Sequence, residues 1–206
     1  MSDSPTPDDA ERRHKLKMAH RKAVQDAEVA SKTITDKGLL MVNTGPGKGK
    51  STAAFGLVLR ALGHGWPVGV VQFIKGAWDT GERRLLGGSD LVRWHSMGEG
   101  FTWETQDRAR DVAAAEAAWT KARTLMADPA IRLLVLDELN IALRYDYLAT
   151  DRVMAELKAR RPGLHVVVTG RNAKPEMVAA ADLVTEMTAT KHHFAAGVKA
   201  QAGIEF

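Results

Sequence analysis

Thr44-Gly45-Pro46-Gly47-Lys48-Gly49-Lys50-Ser51-Thr52 is the stretch that decides the fold of this 206-residue chain. Before it stands Leu39-Leu40-Met41-Val42, a continuous apolar run of the kind a parallel strand buried on both faces shows. After it a helix-favouring run over 53–62 stops at Gly63-His64-Gly65. A glycine-rich turn between a strand and a helix is the setting of a phosphate-binding loop. Glycines let the chain curl so that successive N–H groups point inward at phosphate oxygens, and the new helix adds the positive end of its dipole. Lys50 can then place an ammonium on the outer phosphates, and Ser51 a hydroxyl on Mg²⁺.

The spacing departs from G-x-x-x-x-G-K-[ST]. Counting back from Gly49-Lys50, the first glycine position holds Thr44, and Gly45 comes one place late. The dinucleotide pattern G-x-G-x-x-G fails as well, because its third glycine position is Lys50. A second signal supports the first. Leu133-Leu134-Val135-Leu136-Asp137-Glu138 is an apolar strand ending in two acids, as where a P-loop protein brings a carboxylate to Mg²⁺. Asp137 is the metal candidate. Glu138 is placed to position water, touch the metal or bind the ribose. Neighbouring parallel strands would bring loop and acids to one sheet edge.

Outward from these signals the text alternates strand and helix. Strands are expected over 68–74, 91–95, 131–136 and 165–169. Helices are expected over 105–126, over 151–160 and from Pro175. Alternation of this kind predicts a mostly parallel sheet flanked by helices, an α/β fold. Residues 37–206 form that domain, and 1–36 an N-terminal arm. Residues 1–10 read as disordered. Residues 11–30 read as a helix with a thin apolar stripe of Leu16, Ala23, Ala27 and Ala30 that needs a surface to pack on.

Composition narrows the function. With no cysteine there is no thiolate nucleophile, and any redox step needs an external reductant or a cofactor held by other groups. No apolar run reaches the ~18 residues of a membrane span, and the acidic, proline-bearing N-terminus is unlike a signal peptide. A cytoplasmic protein is expected. The net charge of +4 suits an anionic ligand. No basic, aromatic-bearing cluster follows residue 38, which argues against nucleic acid.

Beyond the loop, LRALGHG (59–65), VQFIKG (71–76), MGEGFTWETQD (97–107), VLDELN (135–140), VVVTGR (166–171), AADLVTEM (180–187) and KHHFAAGVKAQAGIEF (191–206) stand in one order. Together with TGPGKGKSTAAFG (44–56) they resemble the ATP:corrinoid adenosyltransferase family of the P-loop class. The late glycine is that family's own form. The resemblance implies a RecA-like P-loop NTPase fold and a homodimer. It implies transfer of the 5′-deoxyadenosyl group of ATP to the Co(I) centre of cobalamin or a cobyrinic acid derivative, with release of triphosphate. By the same resemblance Gly45, Pro46, Gly47, Lys48, Gly49, Lys50, Ser51 and Thr52 hold the nucleotide and Mg²⁺. Asp137 and Glu138 serve metal and nucleotide, and Arg60 takes a nucleotide-side position. Phe101 and Trp103 press on the lower face of the corrin. Lys50, Ser51 and Glu138 are the expected catalytic groups, and electrons come from an external donor flavoprotein. His192-His193 reads as surface or corrin contact, and the terminal Ile204-Glu205-Phe206 as docked. The alternatives on this fold are a phosphotransferase or ATPase, and a RecA-like ATP-dependent DNA-binding module.

Overall fold

The computed structural model describes residues 7–74, 80–97 and 107–205. The chain divides into two compact units, 1–37 and 38–206. The first is a helix, α1 (Pro7–Ala30). It begins earlier than the sequence suggests, because Asp8 and Asp9 in the first turn complement the helix dipole. It is exposed from Asp8 onward, Leu16 included, and Glu11–Lys15 and Lys22–Asp26 pair one turn apart.

The second unit is a sheet with helices. In chain order it holds β1 (Leu40–Thr44), α2 (Lys50–Gly63), β2 (Val68–Gln72), α3 (Gly81–Leu86) and β3 (Val92–Ser96). Then come α4 (Arg108–Ala127), β4 (Leu133–Asp137), α5 (Leu139–Arg144), α6 (Thr150–Lys158), β5 (His165–Thr169), α7 (Pro175–Ala180) and β6 (Leu183–Glu186). The 6-stranded sheet has the order β3-β2-β4-β5-β1-β6, and every pairing is parallel. β1, β2 and β4 are buried along their whole length, and β5 from Val166 onward, which is why they read as continuous apolar runs.

One face of the sheet is covered by α2 through Ala54, Phe55, Val58 and Ala61. The other is covered largely by α4, whose Ala115, Ala118, Trp119 and Ala122 pack with Val71, Leu134 and Leu136. The long alanine-rich helix therefore stays, but it starts at Arg108. Asp107 caps it by accepting from the N–H groups of Ala109 (3.0 Å) and Arg110 (3.2 Å).

The sheet order corrects one expectation. β1 and β4 are not neighbours, because β5 runs between them. The glycine-rich loop after β1 and the acidic end of β4 still share an edge, since all strands point the same way. Among the described residues, α3, α5, the edge strand β6 and the 3-10 turn His193–Ala196 were not legible in the sequence. β6 is short, and all four of its residues are exposed.

Candidate functional site

Four central strands end in polar residues at the carboxyl edge: Thr44 on β1, Gln72 on β2, Asp137 on β4 and Thr169 on β5. All four are buried, and burial of polar groups is costly unless they bond one another. Here they do. The Asp137 carboxylate, wholly enclosed, accepts from Ser51 Oγ (2.7 Å) and Thr169 Oγ1 (2.7 Å) through Oδ1 and from Gln72 Nε2 (3.1 Å) through Oδ2. Gln72 Oε1 in turn accepts from Ser96 Oγ (2.8 Å) and Trp94 Nε1 (3.2 Å) on the β3 side. The Ser51–Asp137 bond ties the phosphate loop to the acidic strand across the intervening β5.

The loop itself is shaped by the chain that packs against it. Gly47 N donates to Met187 O (2.7 Å), and Met187 N donates to Thr44 O (2.9 Å). A Cβ on Gly45 would stand 2.4 Å from Met187 O, and one on Gly47 would stand 2.6 Å from Thr188 O. Both glycines are required because the chain leaving β6 lies directly against the loop. Gly49, at φ 103, makes the left-handed turn into α2. Lys50 is buried, and its Nζ donates to the carbonyls of Gly45 (3.0 Å) and Gly47. Burial pushes its ammonium down from the ordinary lysine range. The Glu138 charge pulls it back up, and Arg171 and Lys48 push it down further.

Glu138 follows the strand in a left-handed conformation, φ 63, uncommon for a residue with a side chain. Its N–H donates to Thr169 Oγ1 (2.9 Å), so one hydroxyl serves both acids. The turn after β5 is fixed in a similar way. Gly170, at φ 126, lies against Asn140, whose Nδ2 donates to Gly170 O (3.1 Å). Arg171 comes next in the chain.

These groups line a cavity of about 1020 Å³, the size class of a nucleotide or cofactor site. Lys48, Gly49, Lys50, Ser51, Thr52 and Glu138 all face it. Arg144, Tyr145 and Arg171, which sequence reasoning did not single out, line it as well. Pro46 is exposed at the loop's outer bend, and Arg60 is exposed in the last turn of α2; neither lines the cavity. Phe101 and Trp103 lie outside the described residues. His193 lines the cavity and bonds Glu205 (2.7 Å), while His192 Nδ1 accepts from Phe194 N (3.1 Å). The terminal segment docks through Glu205, whereas Ile204 is 79% exposed.

Ser51 and Asp137 supply the hard oxygen donors that Mg²⁺ requires, already hydrogen-bonded to each other at the end of the sheet. A lysine and a serine at a helix N-terminus, with a carboxylate beside them, have the chemistry that suits a polyphosphate.

Comparison with known proteins agrees with this chemistry. Residues 36–206 match the family described as ATP:corrinoid adenosyltransferase BtuR/CobO/CobP. Residues 1–29 match the family described as Cob(I)alamin adenosyltransferase N terminal. A corrinoid adenosyltransferase of Pseudomonas aeruginosa is 56% identical over the full length of both chains. One from Sinorhizobium is 55% identical, covering 97% of this chain and 93% of that protein. The corrinoid adenosyltransferase CobA of Salmonella typhimurium is 48% identical, covering 88% of this chain and 91% of its own.

Proposed function

This chain belongs to the ATP:corrinoid adenosyltransferase family, and we propose that it transfers the 5′-deoxyadenosyl group of ATP to the cobalt of a Co(I) corrinoid. In that step the Co(I) electron pair attacks the ribose C5′. The Co–C5′ bond forms, the C5′–O5′ bond breaks, cobalt becomes Co(III), and triphosphate leaves with the bonding pair. Neither water nor a hydroxyl is deprotonated, so no general base is needed. What the reaction asks of the protein is alignment and stabilisation of the leaving group's charge.

The observation that carries this reading is the 2.7 Å bond from Ser51, which lines the cavity, to the enclosed Asp137 behind it. It sets the phosphate loop and a carboxylate at one place. Lys50 and Lys48 supply cationic contacts for triphosphate oxygens, and the N–H groups at the start of α2 supply the rest. Ser51 and Asp137, with Glu138 beside them, would hold Mg²⁺, which would supply further neutralisation of phosphate charge. Thr169 orients Asp137 and Glu138 together. Arg171 would meet the same phosphates, and Arg144 and Tyr145 the second substrate; all three line the cavity.

Several finer features belong to the same proposal. Phe101 and Trp103 press beneath the corrin, remove its lower axial ligand and so make Co(II) easier to reduce. β3, the strand that precedes them in the chain, ends at the same carboxyl edge as β2 and β4. Electrons come from an external flavoprotein, since a chain without cysteine has no thiol of its own to offer. The enzyme works in the cytoplasm as a homodimer, and α1 covers the partner's active site. Among the described residues, no helix is long and apolar enough to cross a membrane.

The test is to add ATP and Mg²⁺ to the protein with prereduced Co(I) cobalamin and follow the corrinoid spectrum. A shift to the light-sensitive alkylcobalt spectrum supports the reading. ATP turnover to ADP with no change at cobalt would point to a phosphotransferase or ATPase on the same fold.

A further inference from the structure

The last described residues of the chain return to the phosphate loop. One carboxylate oxygen of Glu205 accepts from Lys48 Nζ, and the other pairs with His193 Nε2 at 2.7 Å. The N–H groups of Ile204 (3.1 Å) and Glu205 (3.0 Å) both donate to Gln201 O, so a compact turn presents the carboxylate. Gly203, Ile204 and Glu205 line the same cavity as Lys48 and Lys50. The Glu205 side chain is 17% exposed, whereas Ile204 is 79% exposed. Of these two residues it is the charged one, not the apolar one, that is held against the fold. The hydrogen bond from Lys48 keeps Glu205 below the ordinary carboxylate range, so it is an anion.

Lys48 is a loop cation that a polyphosphate oxygen would contact, and Glu205 places an anionic oxygen on it. A carboxylate and a polyphosphate brought to one ammonium repel each other, so the two are competitors. We infer that Glu205 is a displaceable counter-ion of Lys48: the C-terminal turn closes on the phosphate loop until a triphosphate takes Lys48 over, and returns to help expel the triphosphate product. The inference rests on the adenosyl-transfer reading in that its ligand is the triphosphate of the substrate and of the leaving group. Glu205 acts through Lys48 and is a positioning residue.

The probe is inorganic triphosphate with Mg²⁺, titrated calorimetrically into the full chain. Glu205→Gln should bind it about three- to fivefold more tightly than wild type, the scale of a part-exposed ion pair. His193→Gln, which removes the second partner, should shift affinity the same way by less. A merely structural carboxylate would not improve binding when neutralised. The chain lacks cysteine, so Ile204→Cys takes a single spin label. Triphosphate should raise the label's mobility, and in the Glu205→Gln background mobility should be high beforehand. Weaker or unchanged triphosphate binding by Glu205→Gln, or a label indifferent to saturating triphosphate, overturns the latch alone. Absence of any triphosphate binding by wild type overturns the phosphate-loop reading and the latch together.

Discussion

The two ends of the same parallel sheet are built on opposite terms. At the carboxyl end, Thr44, Gln72, Asp137 and Thr169 are buried polar residues, and Glu138 takes the left-handed conformation, φ 63. At the amino end, Leu40, Val68 and Leu133 are buried and apolar, and the adjoining loops are clamped. There Trp66 stacks on His165 at 5.7 Å with the rings 11° apart, and Arg132 lies over Trp66 at 4.7 Å. Arg160 donates to the carbonyls of Gly38 (2.7 Å) and Leu157 (2.8 Å). Buried polarity gathered at one end is what a site at the carboxyl edge of a parallel sheet calls for, while the other end holds the strands in register.

Substitutions at the two ends should therefore fail differently. The largest effect is expected at Lys50. Lys50→Ala should cost about 100-fold or more in adenosyl transfer, as loss of a charge-stabilising donor does, with the melting temperature near that of wild type. Near-normal turnover at saturating ATP would remove the loop from the chemistry. Trp66→Ala should do the reverse. It should lower stability in denaturant by about 2 kcal/mol, toward the low end for a large aromatic because Trp66 is half-buried, and leave turnover of the folded protein intact. A turnover loss out of proportion to stability would break the division between the ends.

Thr169→Val tests whether one hydroxyl serves both acids. It leaves the Glu138 N–H without its acceptor, which should cost about 1–2 kcal/mol. If Glu138 also shifts, transfer should fall by about tenfold. Unchanged activity would show that Glu138 needs no such anchor. The smallest effect belongs to His165. Burial first, then Arg132 and Arg160, hold it below the ordinary histidine range. Its Nδ1 accepts from Leu39 N (3.2 Å), and protonation would remove that acceptor while facing a cation toward two arginines. Because the folded value is depressed, this contribution is full above about pH 6.5, the unfolded value. It is lost as pH falls through the lowered folded value. His165→Gln should flatten that acid limb of the stability curve and leave transfer unaltered.

The carboxyl end was partly legible in the sequence because its signals are local. The glycine and lysine spacing at 44–52 and the acids at 137–138 sit within single short stretches, and their strands are apolar runs. What escaped depends on chain segments distant in sequence. Gln72 and Thr169 look like ordinary strand residues until β2, β4 and β5 align. The steric demand for glycine at 45 and 47 comes from Met187 and Thr188, beyond an edge strand too short and exposed to show a pattern. Glu205 reaches Lys48 only through the tertiary fold. The expected adjacency of β1 and β4 failed for the same reason, since strand order is not written in strand sequence.

The most direct measurement is phosphorus NMR of a single turnover with prereduced Co(I) cobalamin, ATP and Mg²⁺. If the carboxyl end is a triphosphate-leaving site, intact inorganic triphosphate should appear in step with the new cobalt–carbon bond, mole for mole, and Lys50→Ala should abolish both. Release of ADP or of phosphate plus diphosphate in place of triphosphate, or cobalt alkylation undiminished in Lys50→Ala, would contradict it.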